Sequence, residues 1–202
     1  MTEDIFFEIP QDLPREGPGA GRNIYTKNAF HMLPKLDRPR ILDIGCGRGG
    51  PTLELARLSQ GEIIGVDIHQ PSLDSLARKI EGAGLSNSVK AVNRSMFNMD
   101  FTDESFDVAF TVGGFNFFRD KQVAIHELIR VSKPGARILI VDETEKHVRK
   151  TYEKTPLARR AFKGEDRTAL DAPVRLVPEH MRDIRCEEAW NGRFYSLSFV
   201  KP

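Results

Sequence analysis

The sequence predicts an α/β fold: a doubly wound, mostly parallel seven-stranded sheet that ends in an antiparallel hairpin. Short apolar segments alternate with amphipathic helical segments between residues 40 and 141, which is typical of parallel strands joined by right-handed crossovers. Two strand-like runs near the end are joined by Asn191-Gly192, a strong hairpin signal. At 202 residues, one compact domain over residues 40–202 is expected, after a helical lead-in over residues 1–40.

The lead-in is interrupted by prolines and by the run Gly17-Pro18-Gly19-Ala20-Gly21, which disfavours a helix. A short helix is expected over residues 23–33, where Pro34 ends it. In the first half of the domain, apolar patterning predicts a strand at 40–44, a helix at 52–59, a strand at 63–67 and a helix from Pro71 to near Gly82.

The same alternation continues through the second half of the domain. The predicted elements are a strand at 89–93, a strand at 106–111, a helix at 121–131 and a strand at 137–141, followed by hairpin strands at 184–190 and 193–200.

A glycine-rich turn follows the first predicted strand. Gly45, Gly47 and Gly50 have the G-x-G-x-x-G spacing, and Asp67 follows Gly45 by roughly the 20 residues expected for a ribose-binding acid. Glycines let the backbone approach a ligand closely, and the N–H groups of the next helix are free there. The pattern predicts a site for a nucleoside-bearing cofactor.

Asp43, at the end of the first strand, separates two classes of cofactor. A carboxylate in this apolar position is costly unless it has a partner, and it would repel a pyrophosphate. A cationic amino group or a sulfonium would be attracted to it. Asp43 therefore favours S-adenosylmethionine over NAD.

Three further segments resemble motifs of one family: Val89 to Phe97 its third motif, Ser105 to Thr111 its fourth strand, and Glu127 to Ile140 its helix, turn and fifth strand. With the glycine turn, they occur in order over residues 40–142. The chain thus resembles the class I S-adenosylmethionine-dependent methyltransferases, of the type that includes ubiquinone-biosynthesis-like and small-molecule enzymes. The resemblance implies a Rossmann-like fold, with S-adenosylmethionine as cofactor and S-adenosylhomocysteine as product.

The resemblance also implies a set of cofactor contacts. Asp67 would accept hydrogen bonds from the ribose hydroxyls, Asp43 would lie near the methionine amino end, and Ile68 would pack on the adenine. The structural alternatives are that Asp67 is an exposed acid at a strand end, that Asp43 caps a helix and that Ile68 is a core residue. Ser95 stands where many relatives carry aspartate. The predicted set is Asp43, Gly45, Cys46, Gly47, Asp67, Ile68, Ser95, Met96 and Thr111.

Methyl transfer from a sulfonium depends mainly on positioning and desolvation, so no catalytic residue is assigned. Gly113-Gly114 and the aromatic run 115–118 either line an acceptor pocket or form a turn and core packing. Asp142 and Glu143 are further candidates for orienting an acceptor or accepting its proton. Tyr25, His31 and the Gly17-Pro18-Gly19 turn fit a lid over the cofactor, and they fit plain surface equally well.

The composition narrows the classes of partner. With 30 basic and 29 acidic residues, the net charge of +1 argues against nucleic acid or a membrane surface as the main partner. The five histidines show no metal-ligand spacing, so no metal is expected. Two cysteines and the absence of an apolar leader or spanning segment in the sequence favour a cytoplasmic protein.

Methyl transfer to a small-molecule acceptor is the function that these observations favour; they leave the oligomeric state open. The basic run between Lys146 and Lys163 keeps RNA or protein open as alternative acceptors. A non-catalytic partner subunit that binds S-adenosylmethionine is a second alternative, because no acceptor-orienting residue is certain. An NAD-linked oxidoreductase is disfavoured by Asp43 and by the later motifs.

Overall fold

The computed structural model describes residues 30–152, 171–189 and 191–202. Several predicted features lie outside these residues: the lead-in up to residue 29 with most of its helix, the glycine-proline turn and Tyr25 of the lid, most of the basic run, and Trp190.

The strands of the described residues form one sheet in the order β3-β2-β1-β4-β5-β7-β6. The first five are parallel, and β7 runs antiparallel between β5 and β6. This confirms the predicted sheet with its terminal hairpin. The strands are β1 (Arg40–Ile44), β2 (Glu62–Asp67), β3 (Val89–Asn93), β4 (Phe106–Val112), β5 (Ser132–Glu143), β6 (Arg182–Ala189) and β7 (Phe194–Val200).

Helices cross between the parallel strands. Pro51 and Pro71 occupy first-turn positions, and the Asp120 carboxylate caps a third helix by accepting the Val123 N–H at 3.0 Å. The α-helices are α1 (Gly50–Leu58), α2 (Gln70–Gly82), α3 (Lys121–Val131) and α4 (Glu145–Tyr152), with short 3₁₀ turns at Phe115–Phe117 and Val174–Leu176.

The central strands are buried on both faces, which explains their continuous apolar runs, whereas the edge strand β6 is exposed. On one face, Leu42 and Ile140 belong to a cluster with Leu128 of α3. On the other, Ile41 and Leu139 belong to a cluster with the apolar side chains of α1 and α2. Among the described residues, no helix is both long and apolar enough to cross a bilayer.

β5 differs most from its predicted bounds, because it begins at Ser132 rather than at residue 137. Pro134 and Gly135 read as a turn in the sequence, and Gly135 has a left-handed φ of 80°. Ser132 pairs with Phe106 before a register shift, and the Gly135 N–H bonds the Lys201 carbonyl at 2.9 Å. The turn residues therefore form a bulge inside a longer strand, because pairing continues on both sides of them. At the hairpin, Asn191 and Gly192 have the expected positive φ angles of 55° and 72°.

Candidate active site

The glycine turn lies at the carboxyl edge of the sheet, where the chain order reverses between β1 and β4. Ligands of open α/β sheets bind at such a point. The Gly45 and Cys46 N–H groups both bond the Val66 carbonyl, at 2.8 and 3.1 Å. The turn is therefore fixed against the end of β2.

Asp67 completes this attachment through its carboxylate. One oxygen accepts the Gly47 N–H and the other accepts the His69 N–H, each at 2.8 Å. The side chain is half-buried, so the carboxylate lies at the edge of the sheet beside the turn. Sequence reasoning placed Asp67 there as a ligand-binding acid, but it did not foresee that the same carboxylate shapes the turn.

The glycines of the turn have different steric surroundings. Gly47 has a φ of 51°, and a Cβ built on it would meet no heavy atom within 4 Å. Gly45 has a φ of 70° and would direct its Cβ toward Gly114 Cα at 3.7 Å. Gly49 is packed, since its Cβ would lie 2.1 Å from a methyl carbon of Leu76. The open side of Gly47 is the part of the turn that can receive a ligand.

Asp43 is fully buried at the end of β1. One carboxylate oxygen accepts the Thr52 hydroxyl at 2.6 Å, and the other has no hydrogen-bond partner among the described residues. Burial raises the pKa of Asp43 to about 7, and the Asp67 charge adds to the rise while the Thr52 hydrogen bond opposes it. Near neutral pH about half of Asp43 is ionised, and a cation bound beside it would favour the ionised form.

The expected adenine contacts lie beyond the ends of β2 and β3. The Ile68 side chain is 73% exposed, so the alternative of a core residue does not describe it. The Ser95 hydroxyl oxygen accepts the Phe97 N–H at 3.2 Å and closes a short turn to Asn98. Met96 packs into the core, so only its backbone is left for a ligand.

Cys46 faces away from the open side of the turn. Its sulfur lies 3.0 Å from the position that a Cβ on Gly65 would take, and the side chain belongs to the α2 core cluster. Burial raises the pKa of this thiol well above its usual range. The structure thus offers the Cys46 backbone, and not its sulfur, to a ligand.

Thr111 and the loop after β4 lie on the opposite side of Gly45 from β2. The Thr111 hydroxyl is buried without a partner among the described residues, and it lies 3.3 Å from a Cβ built on Gly114. The tip of the Phe118 ring approaches within 3.9 Å of a Cβ built on Gly45. The aromatic run therefore divides: Phe115 is fully buried, Phe117 is 70% exposed, and Phe118 faces the glycine turn.

A polar group at the end of β5 supports this loop. Both oxygens of the buried Asp142 carboxylate accept backbone N–H groups, from Asn116 at 2.8 Å and from Glu143 at 2.7 Å. Desolvation raises the pKa of Asp142 to about 6, against the lowering effect of these hydrogen bonds. Tyr195 of β7 lies directly opposite Asp142 in the pairing between β7 and β5.

Sequence reasoning named Asp142 but missed Asn116 and Tyr195. Asn116 was hidden inside an aromatic run, and Tyr195 inside a strand that reads as apolar. One signal was available: a polar atom on a residue at the carboxyl end of a buried strand needs a partner. Within the described ranges, no three His, Cys, Asp or Glu side chains are grouped to hold a metal ion.

These features fit S-adenosylmethionine on the evidence of the structure itself. The open side of Gly47 leaves room beside the backbone, and Asp67 keeps free lone pairs because each oxygen accepts only one recorded hydrogen bond. The unpaired oxygen of Asp43 suits the positive charge of the ligand's amino end or sulfonium.

The chain is similar to known methyltransferases over part of its length. Residues 41–135 match the family described as "Methyltransferase domain". The methyltransferase phqN of Penicillium fellutanum is 35% identical over 107 residues, which is 53% of this chain and 33% of phqN. The demethylmenaquinone methyltransferase of Lactobacillus johnsonii is 30% identical over 127 residues, 61% of this chain and 52% of that protein. The chain spans about a third to a half of the length of these relatives.

A crystal structure of a SAM-dependent methyltransferase from Aquifex aeolicus has the same fold, with a TM-score of 0.71 over 92% of this chain and 94% of that one. At 18% identity, this likeness concerns the fold alone. Over residues 41–135 the chain is therefore similar to the family described as "Methyltransferase domain", and its strand order is that of the fold it shares with this structure.

Proposed function

We propose that this chain binds S-adenosylmethionine and transfers its methyl group to a small-molecule acceptor. The observation that carries the proposal is that two carboxylates lie beside one glycine turn. Asp67 accepts the N–H of Gly47, and the buried Asp43 has one oxygen without a hydrogen-bond partner among the described residues. A cofactor with ribose hydroxyls and a cationic end satisfies both groups.

Different residues contact the ribose, the adenine and the amino acid part of the cofactor. Asp67 takes the ribose hydroxyls, and the exposed Ile68 side chain covers one face of the adenine, with Ser95 and the Met96 N–H at its edge. The backbone of Gly45, Cys46 and Gly47 passes beside the amino acid part. Asp43 supplies the negative charge, either directly or through water.

When bound, the cofactor supplies an electrophilic methyl group on a sulfonium. The chain positions the reactants and excludes water. Thr111 and Gly114 lie against Gly45 at the sheet edge, and the tip of the Phe118 ring lies over the same glycine. These contacts exclude water from the place where an acceptor would approach. Holding the two reactants in this way accounts for much of the acceleration expected for such a transfer.

A small acceptor is favoured over a polymer by the charge of the site. The functional groups at the described edge are carboxylates, hydroxyls, an amide and aromatic rings, with the Lys121 ammonium at the Asn116 carbonyl, and the chain has a net charge of only +1. A groove that follows a polyanion would need clustered basic side chains. A relative in the comparison is named for demethylmenaquinone, which is also a small molecule.

The test is turnover of methyl-labelled S-adenosylmethionine against separate pools of metabolites, RNA and proteins. Label in the metabolite pool is the expected result. Label in RNA or protein would replace the acceptor class but keep the enzyme class. Binding without label in any pool would favour a non-catalytic subunit. Thermal stabilisation by NAD and not by S-adenosylhomocysteine would overturn the assignment.

A further inference from the structure

Three buried side-chain atoms along the carboxyl edge have no hydrogen-bond partner within the described residues: Thr111 Oγ1, Asn116 Oδ1 and the Tyr195 hydroxyl. Such atoms are rare in folded proteins and call for an explanation. A fourth, Asp43 Oδ1, belongs to the cofactor side. Thr111 Oγ1 lies beside Gly45, and Asn116 and Tyr195 lie farther along the same edge, on the side from which the proposed function brings the acceptor.

The sheet order brings these three atoms to one region. Going outward from the glycine turn, Thr111 is the next-to-last residue of β4, Asp142 is the next-to-last residue of β5, and Tyr195 lies opposite Asp142 on β7. Neighbouring strands are about 4.8 Å apart and Thr111 pairs with Ile140, two residues before Asp142, so Thr111 and Tyr195 are separated by roughly 12 Å. Asn116 is held at Asp142 by its backbone N–H. We call Thr111, Asn116, Asp142 and Tyr195 the polar recess.

Hydrogen bonding fixes what each group offers. The Asn116 amide nitrogen donates to the Glu143 carbonyl at 2.9 Å, and a carbonyl accepts only, so Oδ1 is the free atom and can only accept. The Tyr195 hydroxyl stays protonated, because burial and the nearby Asp142 charge raise its pKa well above the usual range. It is therefore a donor. The recess thus presents one acceptor and one donor, both on residues that adjoin Asp142.

We propose that the polar recess binds the methyl acceptor through a hydroxyl group, which donates to Asn116 Oδ1 and accepts from the Tyr195 hydroxyl. A ketone or ether could not donate to Asn116, and a carboxylate would be repelled by Asp142. Thr111 is the member of the recess nearest to Gly45, with its hydroxyl oxygen 4.0 Å from a Cβ built on that glycine, so a group bound in the recess faces the cofactor side. This inference rests on the proposed function and names the acceptor class.

The test uses the full chain saturated with S-adenosylhomocysteine and titrated with phenol or anisole, followed by NMR. The two probes have similar apolar bodies, but anisole has no donor. Phenol is expected to bind about tenfold more tightly and to shift the Asn116 side-chain amide signal, because anisole leaves a buried acceptor unpaired. Equal affinities, or no binding of phenol, would overturn the inference.

Two variants test the same preference for phenol independently. Tyr195→Phe is expected to reduce the preference for phenol to within about twofold, while the melting temperature stays the same or rises, because an unpaired buried group is removed. Ser198→Ala is the matched control: this buried hydroxyl faces the opposite side of β7 and is partnered by Arg137 at 3.0 Å. It should lose stability and keep the preference. A preference unchanged in Tyr195→Phe would contradict the recess.

The proposed function and this inference fail in different ways. Absence of S-adenosylhomocysteine binding would remove the proposed function. Tight S-adenosylhomocysteine binding with no discrimination between phenol and anisole would leave the methyltransferase proposal standing and remove only the hydroxyl acceptor.

Discussion

The carboxylate of Asp67 accepts the Gly47 N–H at 2.8 Å and so joins the end of β2 to the turn after β1. The other oxygen accepts the His69 N–H. A carboxylate has about four lone-pair sites, and two are occupied in this way. Asp67 therefore fixes the turn and keeps two lone-pair sites, which the proposed function assigns to the ribose hydroxyls.

Replacing Asp67 by Ala should weaken S-adenosylhomocysteine binding by about 10- to 100-fold, because hydrogen bonds to a charged group are lost. It should also lower the melting temperature of the ligand-free protein, since the Gly47 and His69 N–H groups lose their partner. Asp67→Asn keeps one acceptor oxygen and should fall between. Calorimetry and thermal unfolding measure the two effects.

Asp74→Ala is the control for this variant. Asp74 is exposed on α2, and its carboxylate accepts a hydrogen bond from the Gln70 side chain at 2.8 Å. Its loss should leave affinity within about twofold, since surface substitutions away from special features have small effects. Unchanged affinity in Asp67→Ala would exclude the ribose role.

Gly47 and Gly84 provide a second comparison, because both have positive φ angles, 51° and 68°, and a Cβ on either meets nothing within 4 Å. Alanine at either position should cost about 1 kcal/mol of stability from backbone strain. Only Gly47→Ala should also weaken S-adenosylhomocysteine binding, by about tenfold or more, because the new methyl group points into the space beside the turn. Equal affinities of the two variants in calorimetry would show that the ligand does not approach Gly47.

Most of the fold was predictable because local and tertiary preferences agree. The helix at 121–131 was predicted to the residue, since Asp120 caps it and its apolar face repeats with helical period. The early start of β5 was not predictable, because it depends on the pairing of Ser132 with a strand 26 residues away. The turn signal at Pro134-Gly135 corresponds to a bulge inside the strand, which local patterns do not distinguish from the start of a strand.

The cofactor side was more accessible to sequence reasoning than the acceptor side. Glycine spacing and a strand-end acid are short-range patterns, and they placed Gly47 and Asp67 at one edge. Asn116 and Tyr195 are 79 residues apart, and only the antiparallel insertion of β7 beside β5 brings them together. No local pattern carries that information.

Ile68 is the third position for a test, since its side chain is 73% exposed beside Asp67. Ile68→Ser should reduce S-adenosylhomocysteine affinity by about tenfold, through lost apolar contact with adenine, and should leave the melting temperature nearly unchanged. Ile184, 40% exposed on the edge strand β6, gives the control substitution Ile184→Ser. Comparable affinities of the two variants would remove Ile68 from the adenine contact.

Asp43 makes both stability and binding depend on pH. Its pKa is raised from 3.8 to about 7, so the folded state holds a proton that the unfolded state releases. The free energy of unfolding should therefore fall as pH rises from about 4 to about 7 and level off above that. Asp142, with a pKa of about 6, adds a fall of the same sign. Chemical denaturation at several pH values measures the slope, which Asp43→Asn should reduce.

Ligand binding should show the opposite trend. A cationic ligand stabilises the Asp43 anion, so binding releases a proton, and affinity for S-adenosylhomocysteine should rise about tenfold between pH 6 and pH 8 for a pKa of about 7. Calorimetry in two buffers with different ionisation enthalpies detects the released proton as a difference in heat. Asp43→Asn should bind more weakly at pH 8 and lose the pH dependence. A wild-type affinity that is flat over this range, with no buffer-dependent heat, would mean that the ligand's charge does not act on Asp43.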